Sequence, residues 1–276
     1  MKFTFHIGLH KTGTTFLQKE VFPKLENIHV VQQSHNIRRL FGVPKEKRVL
    51  VTHEGLSGNP FGGAWLEEFE SYVRGITSIF PDAACIIGFR RHDLLIRSLY
   101  KQYLQEGGTR GPEVLFSVDG SGRIKTKDLA YRHRLEFVRK HFSSVHLYTQ
   151  EQLKNKPDSS LNSLLHFLDI DCTCKRDIDK NTNNVGVKTE LQVKTLRLLN
   201  IINMNLESIP FTPTLHNYAF QKMKITPRSL CQQRLKKIGR KTFTLPEDIG
   251  SYLRERFGDD WKFVQNKCKR LNEKFI

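Results

Sequence analysis

The first chemistry in the chain lies in the eight residues Gly8-Leu9-His10-Lys11-Thr12-Gly13-Thr14-Thr15. They fall between a strand-like segment and a helix-like one. A tight turn feeding a helix N-terminus leaves amides unpaired at the positive end of the helix dipole, and such a turn suits a phosphate. The glycines Gly8 and Gly13 have Walker A spacing. The residue after Gly13 is Thr14, however, where the kinase and GTPase loop needs a lysine before its metal-binding hydroxyl. The lysine sits inside the loop instead, as Lys11. A P-loop nucleotide kinase is therefore the second reading of this loop.

Residues outside the loop must position it. Phe3, Phe5 and Ile7 alternate with Thr4 and His6, which predicts a buried strand over 2–8, with His6 a core or edge histidine and not a ligand. A helix is expected from Thr14 to Phe22, stopped by Pro23. Further strands are predicted over 28–32, 48–52 and 145–148. The continuous apolar run ACIIGF, 84–89, reads as a strand covered on both faces. Helical spacing marks 65–79, 93–105, 127–141, 160–168 and 190–203, and 248–274 reads as a helix pair. Strands alternating with helices imply an α/β chain, a central and mostly parallel sheet flanked by helices. We expect a single domain, 1–276, with a helical, basic C-terminal portion.

Of the 276 residues, 38% are hydrophobic and 10% aromatic, enough for a real core and too many for a disordered chain. Lys plus Arg number 45 against 28 Asp plus Glu, a formal net charge of +17 that attracts polyanions. No acidic residue occurs between Ser208 and Pro246, where Lys222, Lys224, Arg228, Arg234, Lys236, Lys237, Arg240 and Lys241 fall. About 200–245 is thus expected to be a basic, acceptor-facing segment. A nucleic-acid-binding protein with a degenerate nucleotide fold is a third reading, but no DNA or RNA motif supports it and no nucleic-acid partner is expected. No apolar run reaches the ~20 residues of a membrane helix. The start MKFTFHIGLHKTG has no long apolar stretch and no small-residue cleavage site, so a cytoplasmic location without an integral membrane segment is expected. Cys85, Cys172, Cys174, Cys231 and Cys268 form no disulfide or zinc framework and read as reduced thiols.

HIGLHKTGTTFLQ resembles the 5′-phosphosulfate loop of sulfotransferases that use 3′-phosphoadenylyl sulfate (PAPS). It is similar above all to the bacterial sulfotransferase-domain proteins, with a histidine or proline before the lysine. That family has a second signature, an arginine at a strand end and a serine eight positions on. IIGFRRHDLLIRSLYKQYL supplies Arg90 and Ser98 at that spacing, with Arg91 the competing arginine. An arginine offers a bidentate, permanent charge to a phosphate, and a serine hydroxyl adds a donor. VHLYTQEQLKNKP, LLHFLDID and RERFGDDWKFVQNK resemble later stretches of the family, and Lys180 to Asn184 resembles a loop near cofactor or acceptor.

The resemblance implies a P-loop-like sulfotransferase fold, PAPS as donor and 3′-phosphoadenosine 5′-phosphate (PAP) as product. It implies donor binding by His10, Lys11, Thr12, Gly13, Thr14, Thr15, Arg90 and Ser98, with Lys11 stabilising the leaving phosphate. No metal is expected. A general base must take the acceptor proton. Glycan-modifying members use a glutamate after an early strand, and members acting on small phenols or steroids a histidine. The strand 48–52 ends in His53-Glu54, so Glu54 is the first candidate, with His53 and His10 as alternatives. The expected acceptor is a carbohydrate, with an anionic saccharide compatible with the charge. A phenol or lipid acceptor with a histidine base is the alternative. Trp65 and Phe61 are candidates for contact with adenine or acceptor, or for core packing.

Overall fold

The computed structural model describes residues 2–32, 48–170, 186–207, 231 and 239–273. Lys180 to Asn184, Cys172, Cys174 and most of the basic segment lie outside the described residues. The chain divides into two compact units. The first comprises Met1–Leu95, Arg123–Thr182 and Leu253–Ile276, and the second Ile96–Gly122 and Asn183–Tyr252.

The first unit is built on a five-stranded sheet of β1 (Lys2–Gly8), β2 (Ile28–Gln32), β3 (Arg48–Thr52), β4 (Ala84–Phe89) and β5 (Ser144–Thr149). The order is β2-β3-β1-β4-β5 and every pairing is parallel. A parallel sheet needs helical crossovers on its faces, which is why all six residues of β4 are buried. The chain leaves β1 to build β2 and β3 on one side, then crosses back to build β4 and β5 on the other. Such a reversal opens a crevice at the carboxyl ends of the strands. The loop after β1 and the turn after β4 both start there.

After the loop come α1 (Thr14–Phe16), a π-helical stretch Leu17–Val21 and a 3-10 turn Phe22–Lys24 in which Pro23 ends the run. Leu17, Val21 and Phe22 are fully buried with Leu50, Ile86 and Leu161. Burying each such side chain contributes about 1.5–3 kcal/mol relative to exposure. Crossover helix α2 (Trp65–Ile79) buries Trp65, Phe69 and Val73. Helix α3 (His92–Gln105) follows β4, α4 (Tyr131–His141) precedes β5, and α5 (Gln150–Asn155) and α6 (Pro157–Phe167) follow it. Asp128, fully buried, accepts from the Leu66 and Lys125 amides at 2.9 and 2.7 Å and so ties α2 to the turn before α4. In the second unit, α7 (Glu190–Glu207) is fixed by Asn200, which donates to the Leu104 and Gly108 carbonyls, each at 2.8 Å. The C-terminal helices are α8 (Glu247–Arg256) and α9 (Gly258–Glu273). Cys85, Cys231 and Cys268 are buried thiols. No helix among the described residues is long and apolar enough to cross a membrane.

Two buried histidines give the fold an acid limit. Burial pushes His6 and His146 each down to about 3 from 6.5, with the charge of His146 adding to the effect on His6. Their folded-state values are depressed, so both are neutral in the folded protein. Protonation below pH 6.5 therefore favours the unfolded chain. Stability is expected to be level above about pH 7 and to fall as pH drops from 6.5 toward 3. The loss is about 2 kcal/mol per histidine at pH 5. Glu151, pushed up by burial, works in the opposite direction at lower pH. Urea unfolding at pH 7.5 and pH 5 measures the effect, and equal stabilities would contradict it.

Candidate active site

Strands β1 and β4 end side by side, with Gly8 opposite Gly88. The Leu9 amide donates to the Gly88 carbonyl at 3.4 Å, and the buried Leu9 side chain anchors the start of the loop. Lys11 (φ 65°) and Gly13 (φ 98°) then both turn left-handed. Glycine adopts that region without strain, whereas a lysine there costs on the order of 1–2 kcal/mol. Neighbouring bonds hold it. Thr12 Oγ1 donates to the Leu9 carbonyl at 2.6 Å, and Arg90 Nη1 donates to the Lys11 carbonyl at 3.1 Å. The Gly13 carbonyl accepts from the Leu17 amide at 3.2 Å and starts the helical run. Of the three loop threonines, Thr12 and Thr14 are buried and Thr15 is exposed. Backbone amides and the Thr15 hydroxyl are thus the groups the loop can offer a phosphate, with half-buried Lys11 beside them.

Arg90 and Arg91 leave β4 with different partners. Arg91 is spent on Asp93, with Nε and Nη2 donating to the two carboxylate oxygens at 2.6 and 2.9 Å. That contact raises the Arg91 pKa. Arg90 points to the loop instead, and its own carbonyl accepts from the Tyr131 hydroxyl at 2.7 Å. Tyr131 stacks on His92, whose ring also stacks on Phe257, and Asp260 accepts from the Tyr131 amide at 2.8 Å. The arginine of the second signature is therefore braced by α4 and α9. Ser98 lies half-buried in α3, in the second unit.

The base candidates gather at the end of β3. His53 is extended, and Glu54 opens the 3-10 turn Glu54–Ser57. His10 Nδ1 lies 3.5 Å from Glu54 Oε1, while His10 Nε2 is 3.0 Å from the Gly58 carbonyl. A carbonyl only accepts, so the Nε2 proton is committed to Gly58. The structure brings Glu54 and His10 into one pair. The His53 ring packs over Gly55, where an added Cβ would sit 2.5 Å from His53 Cε1. Trp65 is fully buried, donates from Nε1 to the Ser57 carbonyl at 2.7 Å and lies under Arg134, so it packs the core behind this turn. Phe61 is half-buried. Among the described residues no group of three or more His, Cys, Asp or Glu could hold a metal ion. The contacts Arg90–Lys11 and His10–Glu54 link residues 79 and 44 positions apart, and no local sequence signal announces them.

No protein-family model matches the chain, and no curated protein matches it by sequence. Among solved structures, a sulfotransferase from Alicyclobacillus acidocaldarius matches with a TM-score of 0.51 and 14% identity, over 74% of this chain and 92% of that one. The chain has a sulfotransferase-like fold. At 14% identity the likeness is one of backbone path. The chemistry set on this sulfotransferase-like fold rests on the chain's own side chains.

Proposed function

We propose that the chain transfers a sulfonate from PAPS to a hydroxyl or amine of an acceptor, most favourably on a carbohydrate. The observation that carries this reading is a sulfotransferase-like fold whose first loop holds Lys11 and is joined through the Lys11 carbonyl to Arg90. PAPS supplies an activated sulfonate with PAP as leaving group. In the transfer, a bond forms from the acceptor oxygen or nitrogen to sulfur as the bond from sulfur to the phosphate oxygen breaks.

The chain's own residues have four tasks. The amides from Thr12 to Thr15 and the Thr15 hydroxyl grip the 5′-phosphate and sulfonate end of the donor. The Lys11 ammonium meets the charge that grows on the leaving oxygen, and its effect is larger in the transition state than in the bound donor. Glu54 takes the acceptor proton, with His10 orienting its carboxylate through the Nδ1 contact. Arg90 reads the 3′-phosphate, and Ser98 is assigned to the same anion from its spacing in the sequence. A carbohydrate acceptor accords with a glutamate base and with the +17 charge, which draws anionic saccharides toward the protein.

Donor recognition gives the direct test. PAP is expected to bind roughly ten- to a hundredfold tighter than AMP, since one charge-assisted contact is worth about 1.5–3 kcal/mol. Arg90→Ala should erase that preference. Because Arg90 also holds the Lys11 carbonyl, the variant should bind AMP somewhat more weakly as well. Calorimetry giving equal affinities for PAP and AMP in the unaltered protein would remove Arg90 from donor recognition.

A further inference from the structure

A buried column of polar side chains runs through the sheet and ends beneath the phosphate loop. Its members come from four elements: Gln18 after the loop, Thr52 at the end of β3, His6 in β1 and Tyr148 in β5. Gln18 Nε2 donates to Thr52 Oγ1 at 3.0 Å. Thr52 Oγ1 lies 2.8 Å from His6 Nδ1, and His6 Nε2 lies 3.0 Å from the Tyr148 hydroxyl. All four residues are buried.

Tyr148 reaches the loop because β1 ends in Gly8 and β4 carries Gly88 just before its last residue. A Cβ on Gly88 would sit 2.5 Å from the Tyr148 hydroxyl oxygen, and one on Gly8 would sit 3.2 Å from it. The same Gly8 position is 2.5 Å from Thr14 Oγ1, so phenol and threonine hydroxyl share the space left by these glycines. Thr14 Oγ1 is buried and makes no hydrogen bond of ordinary geometry among the described residues. It is nevertheless near enough, with Thr12, to oppose the rise that burial imposes on the Tyr148 phenol. His6 is neutral at any working pH. Its ring therefore carries one proton, on Nδ1 facing Thr52 or on Nε2 facing Tyr148. With that proton on Nε2, Thr52 donates to His6 Nδ1, His6 donates to Tyr148 and the phenol proton is left for Thr14; with it on Nδ1, the phenol donates to His6 Nε2 and accepts from Thr14.

A buried polar column is harder to maintain than an apolar one, since each member left unpaired costs its full desolvation. Among the described residues, the Tyr148 end of this column meets the loop. We propose that Tyr148 is a positioning residue of the phosphate loop: its hydroxyl, held by His6, directs the Thr14 hydroxyl and thereby sets the amides that grip the donor phosphate. The inference rests on the reading of this loop as the donor site.

The test is PAP binding by Tyr148→Phe, Thr14→Val and the double variant, followed by calorimetry. Each single change is expected to weaken PAP binding about tenfold, the size of one hydrogen bond. The double variant should be no weaker than the weaker single variant, because both act through one contact. Additive losses, or wild-type affinity in Tyr148→Phe, would overturn the proposal. The unaltered protein with ring-labelled tyrosine provides a readout that holds even where a variant fails to fold. The Tyr148 ζ-carbon resonance should shift when PAP is added, and an unmoved resonance in a protein that binds PAP would mean a purely structural column. If the unaltered protein binds no PAP, the donor reading fails by itself. Inorganic pyrophosphate then serves as the probe, with a Tyr148 shift supporting the positioning role and no shift defeating it.

Discussion

Replacing Glu54 by glutamine is expected to lower sulfonate transfer by roughly 10²–10⁴-fold while PAP affinity holds. Glutamine keeps the size of the side chain and its place at the start of the turn after β3, and removes the ability to take a proton. His10→Ala should lose less, because the ring orients Glu54 across 3.5 Å and does not itself receive the acceptor proton. His53→Ala should lose less again, through positioning only, since its ring lies over Gly55. Steady-state rates for the three variants, with PAP binding measured alongside, decide the matter. Full activity in Glu54→Gln together with loss in His53→Ala or His10→Ala would make histidine the base. The acceptor assignment would then move from carbohydrates toward phenols and lipids.

Lys11→Ala is expected to reduce turnover by on the order of a hundredfold or more, with a much smaller loss of PAP affinity. The ammonium is needed most where the leaving oxygen gains charge. The backbone adds a control, because Lys11 sits at φ 65°. Alanine at that position keeps the strain and loses the charge, whereas Lys11→Gly loses both. The two variants should be equally slow if charge is what matters. Near-normal turnover in either would sink the role given to Lys11.

The elements of the first unit are legible in the sequence wherever hydrophobic periodicity is strong. The strands 28–32, 48–52 and 84–89 and the helix 65–79 fall where the pattern places them. Boundaries moved where periodicity competes with local backbone chemistry. The helix expected over 14–22 is a short α-helix running into a π-helical stretch and a 3-10 turn, with Pro23 closing it. The helix expected over 127–141 begins at Tyr131, because Asp128 caps a separate 3-10 turn, Thr126–Leu129, with its own carboxylate. The segment after β5 is two helices, α5 and α6, where one was expected over 160–168. Pro157, at the first turn of α6, marks the break between them.

The site was legible in its parts but not in its connections. Glycine spacing, an embedded lysine and a strand-end arginine are local features, so the loop and Arg90 can be found by reading along the chain. Only the folded chain shows that Arg90 holds the loop and that Arg91 is occupied by Asp93. The same holds for the pairing of His10 with Glu54, two residues that read along the sequence as alternatives. His6 reads correctly as a core histidine, but its partnership with Tyr148 depends on β1 and β5 flanking β4.

The most direct test of the account is a transfer assay with isotope-labelled PAPS and a panel of glycans, phenols and lipids, read by mass spectrometry. Labelled sulfonate is expected on a saccharide hydroxyl or amine, with PAP released in step and no dependence on added magnesium. Magnesium-dependent consumption of ATP, with no sulfonate moved to any acceptor, would contradict it and make the loop that of a nucleotide kinase.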